Sequence, residues 1–427
     1  MDNPERLIIV STDGHAGADV LGYKPYLESK YHDEFDRWAA AYSDPWGVID
    51  DHMEADNRIG PASFASSANW DSDKRLAIVE DQGIAAEVLF PNTAPPFFPA
   101  GAITAHVPAS GAEYEQRSAG LRAHNRWLAD FCADAPGQRA GMAQMFLTDV
   151  DAAIEEVHWA KEHGLKGVLL PSDHMLQLSN LYYPRLDPFW ATCAELDMPL
   201  HRHGVVPSEA ASDTVGDAAP LIGFSEINFF VNRPITHLIL SGVFERHPTL
   251  KLVITENGAT KALALLAGLD ALVKTARDDT TIMSLFGVDA ARRLSRLPSE
   301  YHRSNVYYGS FLVAADIAAR DQIGVDRMMW GADFPHHEGT IPHTLEALRI
   351  NFSALTEEEI RLMTADVAID VYNLDRAFLQ GVADRIGPTV EQIQVPLKVS
   401  EISADKATYC PTFIDAFAHR AGAVIAS

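Results

Sequence analysis

Short apolar segments typical of buried strands alternate with helical segments along most of this 427-residue chain, and this alternation limits the fold more than any other feature. About eight such strands are predicted, at residues 7–12, 85–90, 142–147, 167–170, 198–201, 250–255, 305–308 and 327–330. Strands that alternate with helices in this way predict a (β/α)8 barrel rather than an open doubly wound sheet. No Gly-x-Gly-x-x-Gly follows a predicted strand, so nothing supports a dinucleotide-binding fold.

Two segments interrupt this alternation. Residues 16–70 are irregular and rich in aromatic side chains, and we interpret them as a cap over the site because those side chains would otherwise be exposed. Residues 271–300 are polar and predict a second, helical insertion. We therefore expect one barrel over residues 1–355, followed by a helical extension over 356–427 that packs on the barrel or on a partner subunit.

The composition narrows the choice of partners. A formal net charge of −25, from 34 basic and 59 acidic residues, argues against nucleic acid or an anionic membrane surface as the main partner. The chain has no segment typical of a signal peptide and no run of 18 apolar residues, so no membrane span is expected. Its three cysteines lack metal-type spacing and indicate a reduced, cytoplasmic protein. We expect a small-molecule substrate and a homodimer.

Polar side chains follow the predicted strands at several points. Asp13 and His15 come after the first strand, His203 after the fifth, Glu256 after the sixth and Asp333 after the last. The carboxyl ends of the strands carry the chemistry in a parallel barrel. Imidazole and carboxylate groups are the ligands of catalytic Zn²⁺ sites, where the bound ion lowers the pKa of a water molecule. These five residues therefore predict a metal centre, with Asp333 and His203 as the catalytic candidates.

Three points stay open at this level. Asp13-Gly14-His15 taken alone is also typical of a turn. Either His201 or His203 serves as the ligand from the fifth strand, with His203 preferred. Glu256 precedes Asn-Gly and is either a ligand or the cap of the next helix.

The chain resembles the amidohydrolase superfamily. The resemblance is to the branch that contains aminocarboxymuconate semialdehyde decarboxylase and related aromatic-acid decarboxylases. The motifs that carry the resemblance are Thr12-Asp13-Gly14-His15, Met198-Pro199-Leu200-His201-Arg202-His203, Ser241 to Pro248, Leu252 to Gly258, and Trp330-Gly331-Ala332-Asp333-Phe334-Pro335-His336.

The resemblance implies a barrel with a metal ion at the strand ends. Asp13 and His15 correspond to the first-strand pair, His203 to the fifth-strand histidine, and Asp333 to the last-strand aspartate that contacts the metal or handles a proton. Glu256 departs from the many relatives that have a histidine there. The added carboxylates make the site harder, so Mn²⁺ or Mg²⁺ is an alternative to Zn²⁺, the ion we expect.

Six further residues are candidates for substrate binding. Arg58, Arg75 and Arg202 are the basic candidates for a substrate carboxylate, each with a surface or salt-bridged role as the alternative. Asn92 ends the second predicted strand, and His336 and His337 follow the last one as either a proton relay or a solvated loop.

One metal centre supports two reactions. In the first, a metal-activated water attacks a carbonyl of a small aromatic or cyclic substrate, and hydrolysis is our main prediction. The alternative is non-oxidative decarboxylation of an aromatic or enolic acid. A third hypothesis is an inactive barrel that binds a ligand, against which the intact ligand set argues.

Overall fold

The computed structural model describes residues 5–44, 47, 50, 63–99, 107–171, 180–204, 216–278, 282, 288–398, 401, 410–414 and 416. Arg58, together with parts of both predicted insertions and of the C-terminal extension, lies outside the described residues.

The described strands form a parallel barrel in chain order. They are β1 (Val10–Ser11), β2 (His15–Ala16), β3 (Ala86–Pro91), β4 (Arg139–Gln144), β5 (Gly167–Leu169), β6 (Leu200–His203), β7 (Leu252–Thr255), β8 (Val306–Ser310) and β9 (Met328–Trp330). β1 and β2 both pair with β3 and act as one interrupted strand, which gives an eight-stranded barrel. The barrel closes where the Thr12 amide donates to the Trp330 carbonyl at 2.9 Å. The predicted (β/α)8 barrel is confirmed.

Successive side chains of each strand point alternately into the barrel and outward to the helices, which gives an inner and an outer apolar layer. In β7, Val253 packs inside the barrel with residues such as Val10 and Met329, whereas Leu252 and Ile254 pack under the surrounding helices. Both faces of a parallel barrel strand are buried, so its sequence is apolar on both sides. This explains why the predicted strands are continuous apolar runs.

Helices surround the barrel and supply its connections. They are α1 (His32–Ala41), α2 (Ser72–Asp81), α3 (Gly111–Ala133), α4 (Val150–Glu162), α5 (Asp187–Glu195), α6 (Ala219–Leu240), α7 (Val243–Arg246), α8 (Lys261–Arg277), α9 (Val288–Arg293), α10 (Pro298–Asn305), α11 (Ala314–Ala318), α12 (Arg320–Ile323), α13 (Thr344–Phe352), α14 (Glu357–Arg361), α15 (Val367–Tyr372), α16 (Arg376–Ile386) and α17 (Val390–Ile393). Asp149 caps α4, where its carboxylate accepts from the Ala152 amide at 3.1 Å. Across the parts of the chain that the structure describes, no helix has the length and apolar character needed to cross a membrane.

The helices after residue 355 cover the amino end of the barrel. Tyr372 and Leu379 belong to the same buried apolar cluster as Ile8, Val10 and Met329 of the barrel interior. The Leu7 amide donates to the Pro388 carbonyl at 2.8 Å, so the start of the chain is also fixed to this extension. The amino end is therefore filled, and the carboxyl end is left for polar side chains.

The described part of the first insertion lies at the carboxyl end and beside α3. The Tyr23 hydroxyl is 2.8 Å from both Thr93 Oγ1 and His124 Nδ1, and it anchors this segment to the body of the barrel. Phe64 lies further along, with its ring centroid 4.7 Å from that of His336. The insertion therefore reaches the barrel mouth through Phe64.

Candidate metal centre

The end of the first strand brings Asp13 and His15 to the mouth of the barrel. Both side chains are buried, and His15 Nε2 lies 3.7 Å from Asp13 Oδ1. Pairing between β1 and β3 ends at Ser11, which lies beside Glu87. It resumes at His15, the first residue of β2, which lies beside Phe90 near the end of β3. The two side chains thus meet at one point above the apolar interior.

β6 adds His203 to this pair. Its Nε2 lies 3.3 Å from Asp13 Oδ1, and its ring centroid is 4.8 Å from that of His15. His201, two residues earlier, lies deeper in the barrel, where its Nε2 is 3.1 Å from the Tyr372 hydroxyl. Of the two histidines that the sequence left open, the structure therefore places His203 in the cluster.

Asp333 joins from the residues after β9. Its Oδ1 lies 3.2 Å from His15 Nε2, and its amide donates to the Asp13 carbonyl at 2.7 Å. Asp333 has a φ of +56°. A non-glycine residue in this left-handed region costs about 1–3 kcal/mol, and such residues concentrate at functional sites. A Cβ at Gly331 would lie 2.5 Å from Asp13 Cβ, so this close approach requires glycine.

Hydrogen bonds fix the orientation of both histidine rings. His15 Nδ1 donates to the Pro91 carbonyl at 3.3 Å, and His203 Nδ1 donates to the Gly204 carbonyl at 2.8 Å. Each ring therefore presents the lone pair of Nε2 to the carboxylates. Metal-binding histidines are oriented by the same kind of bond from the other ring nitrogen.

Burial and mutual repulsion shift the ionisation of this cluster. Burial raises the pKa of Asp13 well above its usual value, and the negative charges of Asp333 and Glu338 add to this effect. Burial lowers the pKa of His15 to about 3, which keeps its imidazole neutral. Buried carboxylates beside neutral imidazoles are an arrangement that a cation stabilises.

These residues fit a divalent metal ion. Among the residues that the structure describes, Asp13 Oδ2, His15 Nε2 and both carboxylate oxygens of Asp333 are buried without a hydrogen-bond partner. Buried polar atoms are normally paired, so these atoms indicate a group that completes them. Two imidazoles and two carboxylates suit Zn²⁺, and the share of carboxylate also suits Mn²⁺.

Glu256 lies beside the cluster rather than on the next helix. Its Oε2 is 3.3 Å from His203 Nδ1, and its backbone has a φ of +55°. Burial raises the pKa of Glu256 well above its usual value, with contributions from the other carboxylates. Asp316 instead accepts from the Thr260 amide just before α8, at 3.1 Å. Of the two roles that the sequence left open for Glu256, the contact before α8 is made by Asp316, and Glu256 lies against the Nδ1 side of His203, away from the Nε2 that faces Asp13.

Arg75 does not have the environment of a substrate ligand. Its side chain is fully buried, its guanidinium forms a two-point ion pair with Glu87, and Nη1 donates to the His15 carbonyl at 2.7 Å. Nη2 donates to the Phe334 carbonyl at 3.3 Å. Arg75 thus ties together the two loops that carry His15 and Asp333, and the prediction that it binds a substrate carboxylate needs correction.

Arg202 also lies away from the cluster. It sits between His201 and His203 on β6, so its side chain points to the opposite, outer face of the strand. There Nη1 donates to the Pro171 carbonyl at 2.6 Å. Burial and the nearby Arg233 lower the pKa of Arg202 to about 9. The prediction that Arg202 binds substrate is therefore corrected by strand geometry.

His336 and Asn92 lie at the mouth. The His336 ring stacks on His15 with 3.9 Å between centroids, and its Nδ1 is 3.1 Å from Asp333 Oδ1. Its Nε2 donates to Asn92 Oδ1 at 3.1 Å. The sequence assigned His336 to substrate, whereas the structure places it against the metal-ligand candidates. Its contact with Asp333 depends on the turn in which the His336 amide donates to the Asp333 carbonyl at 2.9 Å.

His337 faces the first insertion. Its Nε2 lies 2.9 Å from Asp50 Oδ1, and its ring lies 5.1 Å from that of Phe64. Sequence reasoning missed Asp50 and Phe64 at this mouth. Glu338, which follows Asp333 by five residues in the loop after the last predicted strand, also acts on the cluster, where its negative charge helps to raise the pKa of Asp13.

Comparisons with known proteins identify the family of this chain. A sequence model of the amidohydrolase family, described as "Amidohydrolase", matches residues 70–374, and the chain belongs to this family. A gamma-resorcylate decarboxylase from Rhodococcus jostii (strain RHA1) is 25% identical over 338 residues, which are 74% of this chain and 94% of that protein.

Two solved structures share the fold. An amidohydrolase from Mycobacterium avium subsp. paratuberculosis K-10 has a TM-score of 0.62 and 21% identity, covering 86% of this chain and 99% of that chain. A 5-carboxyvanillate decarboxylase from Novosphingobium aromaticivorans DSM 12444 has a TM-score of 0.57 and 20% identity, covering 86% and 96%. That decarboxylase is complexed with manganese and 4-hydroxy-3-methoxy-5-nitrobenzoic acid. At these identities the two structures support the fold.

Proposed function

We propose that this protein is a metal-dependent, non-oxidative decarboxylase of a small aromatic acid that carries a hydroxyl group beside the carboxylate. The observation that carries the proposal is the buried group of Asp13, His15 and His203, which Asp333 joins through its contact with His15 Nε2. The gamma-resorcylate decarboxylase, matched over 94% of its length, favours this reaction over hydrolysis, the main prediction from the sequence.

In this proposal Asp13, His15, His203 and Asp333 hold one divalent ion. When bound, the ion supplies Lewis acidity toward the oxygen atoms of the substrate. The carboxylate content of the site and the manganese in the similar decarboxylase structure favour Mn²⁺, with Zn²⁺ as the alternative. The bonds from His15 to Pro91 and from His203 to Gly204 hold both imidazoles in place.

Asp333 is the group that we assign to proton transfer. In decarboxylation the bond from the ring carbon to the carboxylate breaks, CO₂ leaves, and the ring carbon receives a proton. The Asp333 carboxyl lies in the cluster, contacts His15 and His336, and is fully buried. Proton transfer by a positioned side chain contributes about 10²–10⁴-fold to a rate.

Aromatic side chains border the cluster and suit a flat substrate. The ring centroids of Phe90 and His203 lie 4.7 Å apart, and those of Phe64 and His336 also lie 4.7 Å apart. Phe90 is fully buried and Phe64 is 8% exposed. An apolar border with a few fixed polar groups is the usual construction of a small-molecule site.

The test is a substrate panel on protein loaded with Mn²⁺ or Zn²⁺. Hydroxybenzoates with a carboxylate beside the hydroxyl, 2,6-dihydroxybenzoate and 5-carboxyvanillate among them, are compared with aryl esters and amides. We expect CO₂ and the matching phenol from at least one hydroxybenzoate, and loss of product after chelation. Hydrolysis of an ester or amide without CO₂ release from any acid would contradict the proposal.

A further inference from the structure

A cavity of about 370 Å³ lies outside the barrel wall, between α6 and α8. Small-molecule sites have volumes of about 300–1,000 Å³, so it is large enough for a small ligand. The described residues that line it are Asn228, Phe229, Asn232, Arg233, Thr236, His237, Lys261 and Leu265. We propose that this cavity binds a small organic acid, with the carboxylate beside the basic side chains and the apolar body against Phe229 and Leu265.

The sequences of the two helices place these residues on facing surfaces. In α6 the lining residues form pairs that recur every four positions, at 228–229, 232–233 and 236–237. Residues at that spacing share one face of a helix. In α8, Lys261 and Leu265 are also four residues apart. One face of α6 therefore lies across the cavity from the first two turns of α8.

The described lining of the cavity is positively charged, although the whole chain carries a net charge of −25. It contains Arg233 and Lys261, and none of its described residues is acidic. The charge of Arg233 acts on its surroundings, because burial, Arg233 and Arg202 together lower the pKa of His237 to about 4. His237 is therefore a neutral hydrogen-bonding group at pH 7, and the two cationic side chains favour an anion.

Polar groups on α6 are left to bind a ligand. Asn232 is buried, and its Nδ2 donates to the Asn228 carbonyl at 2.8 Å, which leaves its Oδ1 as an acceptor. Within the described parts of the chain, this Oδ1, Asn228 Oδ1 and His237 Nδ1 are buried without a hydrogen-bond partner. Buried polar atoms are normally paired, so these three indicate a ligand with polar atoms of its own. An acid that also carries a hydroxyl group offers a donor to the amide oxygens and an acceptor to the imidazole.

The apolar part of the lining favours an organic acid over an inorganic anion. The Phe229 side chain is 66% exposed beside the cavity, and Leu265 lines the cavity from α8. An apolar ring placed against these side chains removes apolar surface from water, which is favourable in proportion to the area covered. Inorganic phosphate has no such surface and gains from the charges alone.

The cavity is separate from the candidate metal centre. None of its described lining residues is a candidate metal ligand. Arg202, whose charge acts on His237, extends from the outer face of β6, whereas His203 extends from the inner face. An acid in the cavity therefore needs no metal ion, and its binding is independent of the proposed decarboxylation.

The test is calorimetric titration of metal-free full-length protein with salicylate, with benzoate and inorganic phosphate as the comparison probes. We expect one salicylate per chain, and weaker binding of benzoate because it lacks the hydroxyl group. Phosphate should bind more weakly than salicylate by about tenfold or more, because it has no apolar body.

Lys261→Gln and Arg233→Gln each remove a positive charge from the cavity, so salicylate affinity should fall by about tenfold or more. Lys261 is exposed, so its substitution leaves the fold intact. Lys274→Gln, on the exposed surface of α8, is the matched control, and His203→Asn is the control for binding at the barrel mouth. Both controls should bind salicylate as tightly as the wild type.

Three results would overturn the inference. They are a wild type that binds no salicylate at about 10 mM, an unchanged affinity in Lys261→Gln, and loss of binding in His203→Asn, which would place the acid at the mouth. Phosphate bound as tightly as salicylate would overturn the assignment to an organic acid. All of these results leave the proposed decarboxylation intact, because CO₂ release from metal-loaded protein tests that reaction.

Discussion

The two ends of the barrel interior are filled by different kinds of side chain. At the carboxyl end, Asp13 and Asp333 are buried and carry oxygen atoms without hydrogen-bond partners among the described residues. At the amino end, Val10 and Met329 belong to one buried apolar cluster with Leu379 from the C-terminal extension. The carboxyl end therefore retains polar atoms for a ligand, while the amino end contributes stability.

β6 passes through both regions and makes the contrast visible in one strand. His203 at the mouth directs Nε2 toward Asp13, whereas His201 one layer below is hydrogen-bonded to Tyr372. Both side chains are buried histidines on the same face of one strand. Their depth in the barrel, rather than their residue type, separates a candidate metal ligand from a core residue.

The largest effect is expected at the mouth. Asp333→Asn keeps the size of the side chain but replaces the carboxyl group with an amide that cannot take part in proton transfer, so we expect turnover to fall by about 10²–10⁴-fold. Circular dichroism and the thermal unfolding midpoint should stay close to the wild type. A variant that turns over at a rate near the wild type would remove Asp333 from the reaction.

The opposite result is expected at the amino end. Leu379→Ala removes buried methyl groups against the barrel interior, so the free energy of unfolding should fall by about 2–5 kcal/mol. Turnover per folded molecule should not change. Urea unfolding measures the first quantity and steady-state kinetics the second, and a large loss of turnover in folded protein would break the distinction between the two ends.

Substitution of Arg75 tests whether the loops that carry His15 and Asp333 need this side chain to hold their positions. Arg75→Lys cannot maintain the two-point pair with Glu87 together with the bonds to the His15 and Phe334 carbonyls. We expect Mn²⁺ affinity to weaken about 10–100-fold, the range seen when residues that support metal ligands are lost. Arg202→Lys is the control, because Arg202 lies outside the barrel wall and should leave the affinity unchanged. Equal affinities in the two variants would contradict the positioning role of Arg75.

The smallest effect concerns a buried histidine outside both regions. Burial lowers the pKa of His124 from 6.5 to about 3, so between these values the unfolded chain binds a proton that the folded chain does not. Stability should therefore fall as the pH drops from 6.5 toward 3. His124→Asn should reduce this dependence by up to about 1.4 kcal/mol per pH unit. An unchanged slope in urea unfolding across that range would contradict the prediction.

The fold and the cluster of Asp13, His15, His203 and Asp333 were accessible from the sequence for a physical reason. A parallel barrel brings the carboxyl ends of its strands together, so residues far apart in the chain meet once the strands are located. The sequence also indicates that Arg202 faces away from His203, because adjacent residues of a strand point to opposite faces.

The remaining side chains could not be placed in this way. The role of Arg75 depends on which carbonyls α2 approaches, and nothing in the local pattern specifies His15 and Phe334. The contact between His336 and Asp333 depends on the turn of residues 333–336 and on the positive φ of Asp333. Such loop conformations are set by tertiary contacts rather than by periodicity.

The central claim is that the mouth of the barrel is a metal centre built from Asp13, His15, His203 and Asp333. The most direct measurement is anomalous diffraction at the manganese edge from crystals of the full-length protein grown with Mn²⁺. We predict a peak within about 2.5 Å of side-chain atoms from all four residues. A map without a peak among these residues would contradict the claim.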